Sequence, residues 1–145
     1  MENSRFSLTA LTPEKQFFSA EVTEVVFSTP EGRLGIMAGH SPMVVSVSEC
    51  IMEILADGEW KIAAIGQGFA EIEYDKAEFY VDTAEWADEI DAVRAKDALE
   101  RADRRIRSHL SLKEYLRTQA AMNRALARLK AVESFTALGS RHDMK

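Results

Sequence analysis

The chain has 145 residues, 46% of them apolar, and a net charge of −6; that is one domain or two small ones, and too apolar for disorder. A single cysteine, Cys50, excludes an internal disulfide and gives no metal-ligand spacing, and no apolar run is long enough to span a bilayer. Charge is divided unevenly: residues 1–86 carry five Lys/Arg against fifteen Asp/Glu, and residues 87–145 carry thirteen against nine, which points to two modules with different partners. The start, Met1 to Arg5, lacks the charged-then-apolar layout of a secretory signal, so the chain is expected to stay in the cytosol.

The first module, residues 1–86, reads as short β-branched or alternating runs broken by turn residues. Phe6–Leu11 alternates with period two, and Val22–Ser28 follows and ends at Thr29-Pro30. Glu31 to Pro42 then holds three glycines, a histidine and a proline around Leu34, Ile36 and Met37, which predicts a short strand between two tight turns. Further runs follow at Met43–Val47, Ile51–Leu55, Trp60–Ile65, Phe69–Tyr74 and Glu78–Asp82, with Asp57-Gly58 as the clearest hairpin turn. Eight or more strands at this spacing predict an antiparallel β-sandwich or barrel.

The second module, residues 87–138, is rich in Ala, Arg, Leu and Glu and holds no proline. Ile90, Val93, Leu99, Ala102 and Ile106 recur near helical spacing, and Arg101, Arg104, Arg105 and Arg107 crowd the far end, where the helix dipole favours cations. This predicts a helix over about 88–108. Ser111-Leu112-Lys113-Glu114 has the form of a capping box, which predicts a second helix to about Phe135 with Tyr115, Met122, Leu126 and Leu129 along one side and a stop near Gly139. A connection of His109 to Ser111 forces the two into an antiparallel two-helix hairpin. The overall class is therefore α+β in two modules, followed by a tail at 139–145. An Ala-rich hairpin buries little apolar area, so it is marginal alone and suited to two arrangements close in free energy.

No Gly-x-x-x-x-Gly-Lys-Ser/Thr phosphate loop and no His/Cys/Asp cluster of zinc or calcium spacing occurs. Ser41 beside His40 does not make a nucleophile pair, because sequence neighbours point apart and no orienting acid is evident. The residues therefore carry no catalytic constellation and no metal site, and the acidic first module would repel a nucleic acid. Arg124 and Arg128, four apart, share a helix face; with Arg94 opposite, a folded hairpin would offer three guanidiniums to phosphate oxygens. Asp91 and Arg94 also read simply as a helix-start acid and its i,i+3 partner.

The order Glu31-Gly32-x-Leu34-Gly35-Ile36-Met37-x-Gly39-His40-x-Pro42 resembles the epsilon subunit of F-type ATP synthase. The resemblance extends to Leu11-Thr12-Pro13-Glu14, Phe18-Ser19, Gly68-Phe69 and Ile90-Asp91-x-x-Arg94-Ala95, and covers residues 5 to about 138. Gln67, Ser48-Glu49-Cys50 and Ala38 depart from the family's pattern at loops. What the resemblance implies is a non-catalytic central-stalk subunit that binds the gamma subunit and sits on the c-ring. Its helices would reach the catalytic alpha and beta subunits, so that it couples proton flow to ATP synthesis and restrains ATP hydrolysis. It would be peripheral on the cytoplasmic side of the cell membrane, without inserting into it. The resemblance also implies ATP as a regulatory ligand held by Glu85, Ile90, Asp91, Arg94, Ala95, Arg124 and Arg128, and a rotor-ring contact loop of Glu31, Arg33 and His40. The alternative is a free-standing module that senses a nucleotide or another small ligand.

Overall fold

The computed structural model describes residues 4–143. The expected tail therefore lies partly outside the described residues, as do residues 1–3 of the N-terminal segment. The chain divides into two compact units between Glu85 and Trp86.

The first unit is a sandwich of two five-stranded sheets. Its strands are β1 (Phe6–Leu11), β2 (Gln16–Val22), β3 (Glu24–Thr29), β4 (Gly32–Met37), β5 (Met43–Val47), β6 (Cys50–Ala56), β7 (Glu59–Ile65), β8 (Gly68–Ile72), β9 (Lys76–Val81) and β10 (Ala84–Trp86). One sheet runs β2-β1-β9-β8-β5 and the other β10-β7-β6-β3-β4, so the sandwich is realised and the barrel is not. The antiparallel expectation needs one correction: β1 and β9 run parallel, in the register Leu8↔Ala77 and Ala10↔Phe79. Two strands were not foreseen. β2 is an edge strand whose residues do not alternate in burial, and β10 has only three residues.

Alternation builds the core. Phe6, Leu8 and Ala10 of β1, Val25 and Phe27 of β3, Met52 and Ile54 of β6, and Ala77, Phe79 and Val81 of β9 are all buried. Phe27 from one sheet meets Phe79 from the other edge to face, with ring centroids 4.8 Å apart, and burying each ring is worth about 2–3 kcal/mol. At the β6–β7 hairpin Asp57 (φ 51°) and Gly58 (φ 78°) are both left-handed, the backbone twist that a two-residue hairpin loop requires. In the Gly-rich stretch, positive φ falls at Gly32 (135°) and Gly39 (84°), the two ends of β4, while Gly35 lies inside the strand.

The second unit holds a short 3-10 turn at Ala87–Glu89, then α1 (Ala92–Ile106) and α2 (Leu112–Asp143). The expected start at residue 88 is corrected by capping. Asp91 is extended (φ −81°, ψ 101°) and its carboxylate accepts from the Arg94 amide, so the helix begins at Ala92. At the start of α2, Ser111 Oγ accepts from the Glu114 amide (3.2 Å) as foreseen. The Glu114 carboxylate does not complete the box on a backbone amide: it accepts from the Ser111 hydroxyl (3.1 Å) and lies 3.7 Å from Arg105. α2 also continues through Gly139 to Asp143, since one glycine costs a helix only about 1 kcal/mol.

The buried side chains of the helices are small. Ala95 and Ala102 of α1 and Thr118, Ala125, Ala127 and Ala131 of α2 are buried. Val93, expected on the packed face, is 71% exposed, and Tyr115 and Leu126 are exposed as well. Thr118 meets its burial by donating its hydroxyl to the Glu114 carbonyl at 2.8 Å.

Candidate functional site

The helical unit carries a groove of about 470 Å³ between α1 and α2. Its floor is alanine and threonine, Ala98, Ala102, Thr118 and Ala121, and its walls are Arg101, Arg105, Arg117, Arg124 and Glu114. Helical geometry explains the gathering. Arg101 and Arg105 are four apart on α1, and Arg117 and Arg124 are seven apart on α2, so each pair stays on one face. Four guanidiniums against one carboxylate make the groove strongly positive, and planar forked donors suit phosphate or carboxylate oxygens.

The residues expected to hold ATP are only partly brought together. Arg124 lines the groove, whereas Arg94 and Arg128 are not among its walls. Arg94 is paired with Asp91, its Nε 3.9 Å from Oδ2, and its side chain is 84% exposed. Ala95 is fully buried, which gives it a packing role. Ile90 precedes α1 and is half-buried, as is Arg128 on α2. Glu85 sits half-buried in β10, the last residue of the first unit. Arg117 was not anticipated, and Arg101 and Arg105 were read only as part of a basic helix end. The signal that finds them is arginine at i,i+4 on one helix and i,i+7 on the next, read together with the alanines between.

Glu31, Arg33 and His40 do not share a loop. Glu31 is exposed in the β3–β4 turn, Arg33 lies inside β4, and His40 follows the other end of that strand. His40 Nδ1 lies 2.9 Å from the Ser41 carbonyl. Arg33 is committed within the sandwich: it donates to Ser28 Oγ (3.0 Å), to the Ile51 carbonyl (2.8 Å) and to Glu53 Oε1 (2.7 Å).

The sandwich also exposes an apolar strip that the sequence did not single out. Phe69 of β8 stacks on its cross-strand partner Tyr80 of β9 with centroids 4.9 Å apart. Tyr80 pairs in turn with Leu11 of β1, and a groove of about 450 Å³ lined by Leu11, Thr12, Pro13, Tyr80, Val81 and Asp82 adjoins it. Partial burial raises the Tyr80 hydroxyl above its ordinary value, with the Glu78 and Glu71 carboxylates adding to the shift, so this strip has an acidic border. Among the described residues no group of His, Cys, Asp and Glu could hold a metal ion, and no helix is long and apolar enough to cross a membrane.

The two units correspond to two known domains. Residues 5–87 match "ATP synthase, Delta/Epsilon chain, beta-sandwich domain" and residues 88–133 match "ATP synthase, Delta/Epsilon chain, long alpha-helix domain". The ATP synthase epsilon chain of Ruminiclostridium cellulolyticum is 44% identical over 126 residues, 87% of this chain and 94% of that one. The chain belongs to the ATP synthase epsilon family. A second relative, the epsilon chain of Caldicellulosiruptor bescii, is 43% identical over 90% of this chain and 95% of its own length. Among solved structures, the fold of this epsilon chain is shared with a chain of the Euglena gracilis mitochondrial ATP synthase (TM-score 0.75, 23% identity, 83% of this chain and 76% of that one). It is also shared with a chain of the Tetrahymena thermophila ATP synthase central stalk and c-ring (TM-score 0.67, 15% identity, 91% and 99%). The epsilon chain is a subunit of a membrane-bound complex, and its two units are the family's sandwich and helical domains.

Proposed function

We propose that this epsilon chain is a non-catalytic regulator in the central stalk, with the sandwich as its anchor and the helical hairpin as its control arm. The sandwich binds the gamma subunit through the Phe69–Tyr80–Leu11 strip, whose acidic border suits a basic partner surface, and the β3–β4 turn seats on the c-ring. The basic hairpin reaches the catalytic alpha and beta subunits and restrains ATP hydrolysis, while the complex couples proton flow to synthesis. The protein is peripheral, held on the cytoplasmic side through its partners.

The observation that carries this reading is the arginine-lined groove on an alanine seam. An alanine seam buries about one methyl per residue, so the closed hairpin is only weakly favoured and a modest bias switches it. ATP fits as that bias. Four guanidiniums in a groove of about 470 Å³ match a polyphosphate, and the volume lies within the usual range for small-molecule sites. Arg101, Arg105, Arg117 and Arg124 would hold the phosphates and thereby favour the closed hairpin, lifting inhibition by a population shift. The one carboxylate lining the groove, Glu114, is already engaged with Arg105 and the Ser111 hydroxyl, so bound nucleotide would be held as a ligand and kept intact.

The test is ATP hydrolysis by catalytic particles stripped of the subunit and then given back either the full chain or a chain ending at Ala87. Suppression by the full chain alone supports the inhibitory arm; equal suppression by both removes it. Calorimetric titration of ATP into the full chain checks the ligand. Arg124→Ala should weaken binding about tenfold or more, because a charge-assisted contact to phosphate is lost, whereas no heat at millimolar ATP would rule the ligand out. A free-standing ligand sensor is disfavoured by the match to both family domains.

A further inference from the structure

β3 and β6 pair only from Glu24↔Leu55 to Val26↔Glu53. Beyond that point β3 stays with β4, as far as Thr29↔Gly32, and has left β6. A split of this kind frees backbone groups that must find other partners. The Ser28 carbonyl accepts from the Ser48 amide at 3.0 Å, and the Ser28 amide donates to Cys50 Sγ at 3.3 Å. Arg33 spans what remains, from β4 to Ser28 on β3 and to both Ile51 and Glu53 on β6. The turn carried by the split is itself hydrogen-bonded: Thr29 Oγ1 accepts from the Glu31 amide (3.2 Å) and donates to the Gly32 carbonyl (3.0 Å). Glu31 is exposed at its tip and its carboxylate makes no hydrogen bond or ion pair among the described residues.

We infer that Arg33 is a positioning residue: its forked guanidinium closes the split between β3 and β6 and so holds the Pro30–Glu31 turn in one pose, with Glu31 presented to the rotor ring. The inference rests on the proposed seating of this turn on the ring and divides the labour within it. Glu31 meets the partner, whose matching group is a cation or an N–H donor. Arg33 acts from behind. Lysine cannot substitute, because a single ammonium has neither the span nor the planar fork to serve a hydroxyl, a carbonyl and a carboxylate together.

The experiment uses the full chain as wild type, Arg33→Ala, Arg33→Met (which keeps the apolar stem), Glu31→Ala and the double variant Glu31→Ala/Arg33→Ala. Amide hydrogen exchange at Glu31 and Gly32 reads the clamp in the free protein. Both Arg33 variants are expected to speed it about tenfold while the Asp57-Gly58 hairpin stays unchanged. Affinity for ATP synthase lacking this subunit reads the consequence. Each alanine variant should weaken binding, and the double variant no further than Glu31→Ala alone, because Arg33 acts through Glu31. Unchanged exchange in both Arg33 variants overturns the clamp, and fully additive losses overturn it too, since Arg33 would then touch the partner itself. Binding untouched by Glu31→Ala, with exchange still accelerated in the Arg33 variants, removes the seating reading and leaves the clamp standing.

Discussion

Cys50 is a thiol with a structural use. It is 7% exposed, and burial pushes its pKa above the ordinary 9.0; the Ser28 amide that donates to Sγ and the nearby Arg33 guanidinium offset this only in part. A folded-state pKa raised above the unfolded one gives stability that is fully present below pH 9.0 and lost as pH rises through the folded value. The unfolding midpoint is therefore expected to fall above pH 9, and Cys50→Ala should remove that part of the fall; an unchanged profile would contradict it. Near neutral pH the native thiol should react with a maleimide far more slowly than in denaturant. At this scale the sequence was legible where local chemistry dominates: Gly32 and Gly39 were placed at the ends of a strand, and Asp57-Gly58 at a hairpin. It was not legible where a side chain is spent far along the chain, and the Arg33–Glu53 pairing leaves no pattern in either neighbourhood.

Elements were easier to detect than to bound. Both helices and every strand except β2 and β10 were visible as local runs; β2, seven residues long, escaped because its burial does not alternate, and α1 starts later than composition suggests because Asp91 acts as its cap. Asp91→Ala should cost about 1 kcal/mol, the usual value of an N-cap, read as a lower midpoint in urea unfolding of the full chain. The face of the hairpin was misread for a different reason. Periodicity was counted mostly on large apolar side chains; of these Leu99, Ile106, Met122 and Leu129 are half-buried, whereas the fully buried helical residues are alanines, Ala102 among those foreseen, and Thr118, with Val93 and Tyr115 left outside. The contrast is measurable. Val93→Ala should change stability by less than about 0.5 kcal/mol, while Ala102→Leu should destabilise the hairpin by about 1–3 kcal/mol through overpacking. The candidate ligand groove was half-legible for the same reason, since arginines were counted along each helix while Ala98, Thr118 and Ala121 on its floor were not.

For the whole molecule, the division at Glu85/Trp86 coincides with the change from an acidic to a basic chain. The sandwich has its own aromatic core around Phe27 and Phe79. A chain ending at Ala87 is expected to unfold in one cooperative transition with its near-ultraviolet dichroism largely retained, whereas loss of that signal would show that the sandwich depends on the helices. The parallel register of β1 with β9 has a bearing on synthesis. Ser7 pairs with Lys76, so β1 waits for about seventy further residues before its long-range neighbour exists. Until then β1 holds only β2, and its other edge stands open to misplaced strands. The helices that follow form from local contacts and are emerging as that edge is filled. The helical unit is thus translated after the ten strands and is among the quickest parts to fold, while the sandwich closes only when its first and ninth strands meet.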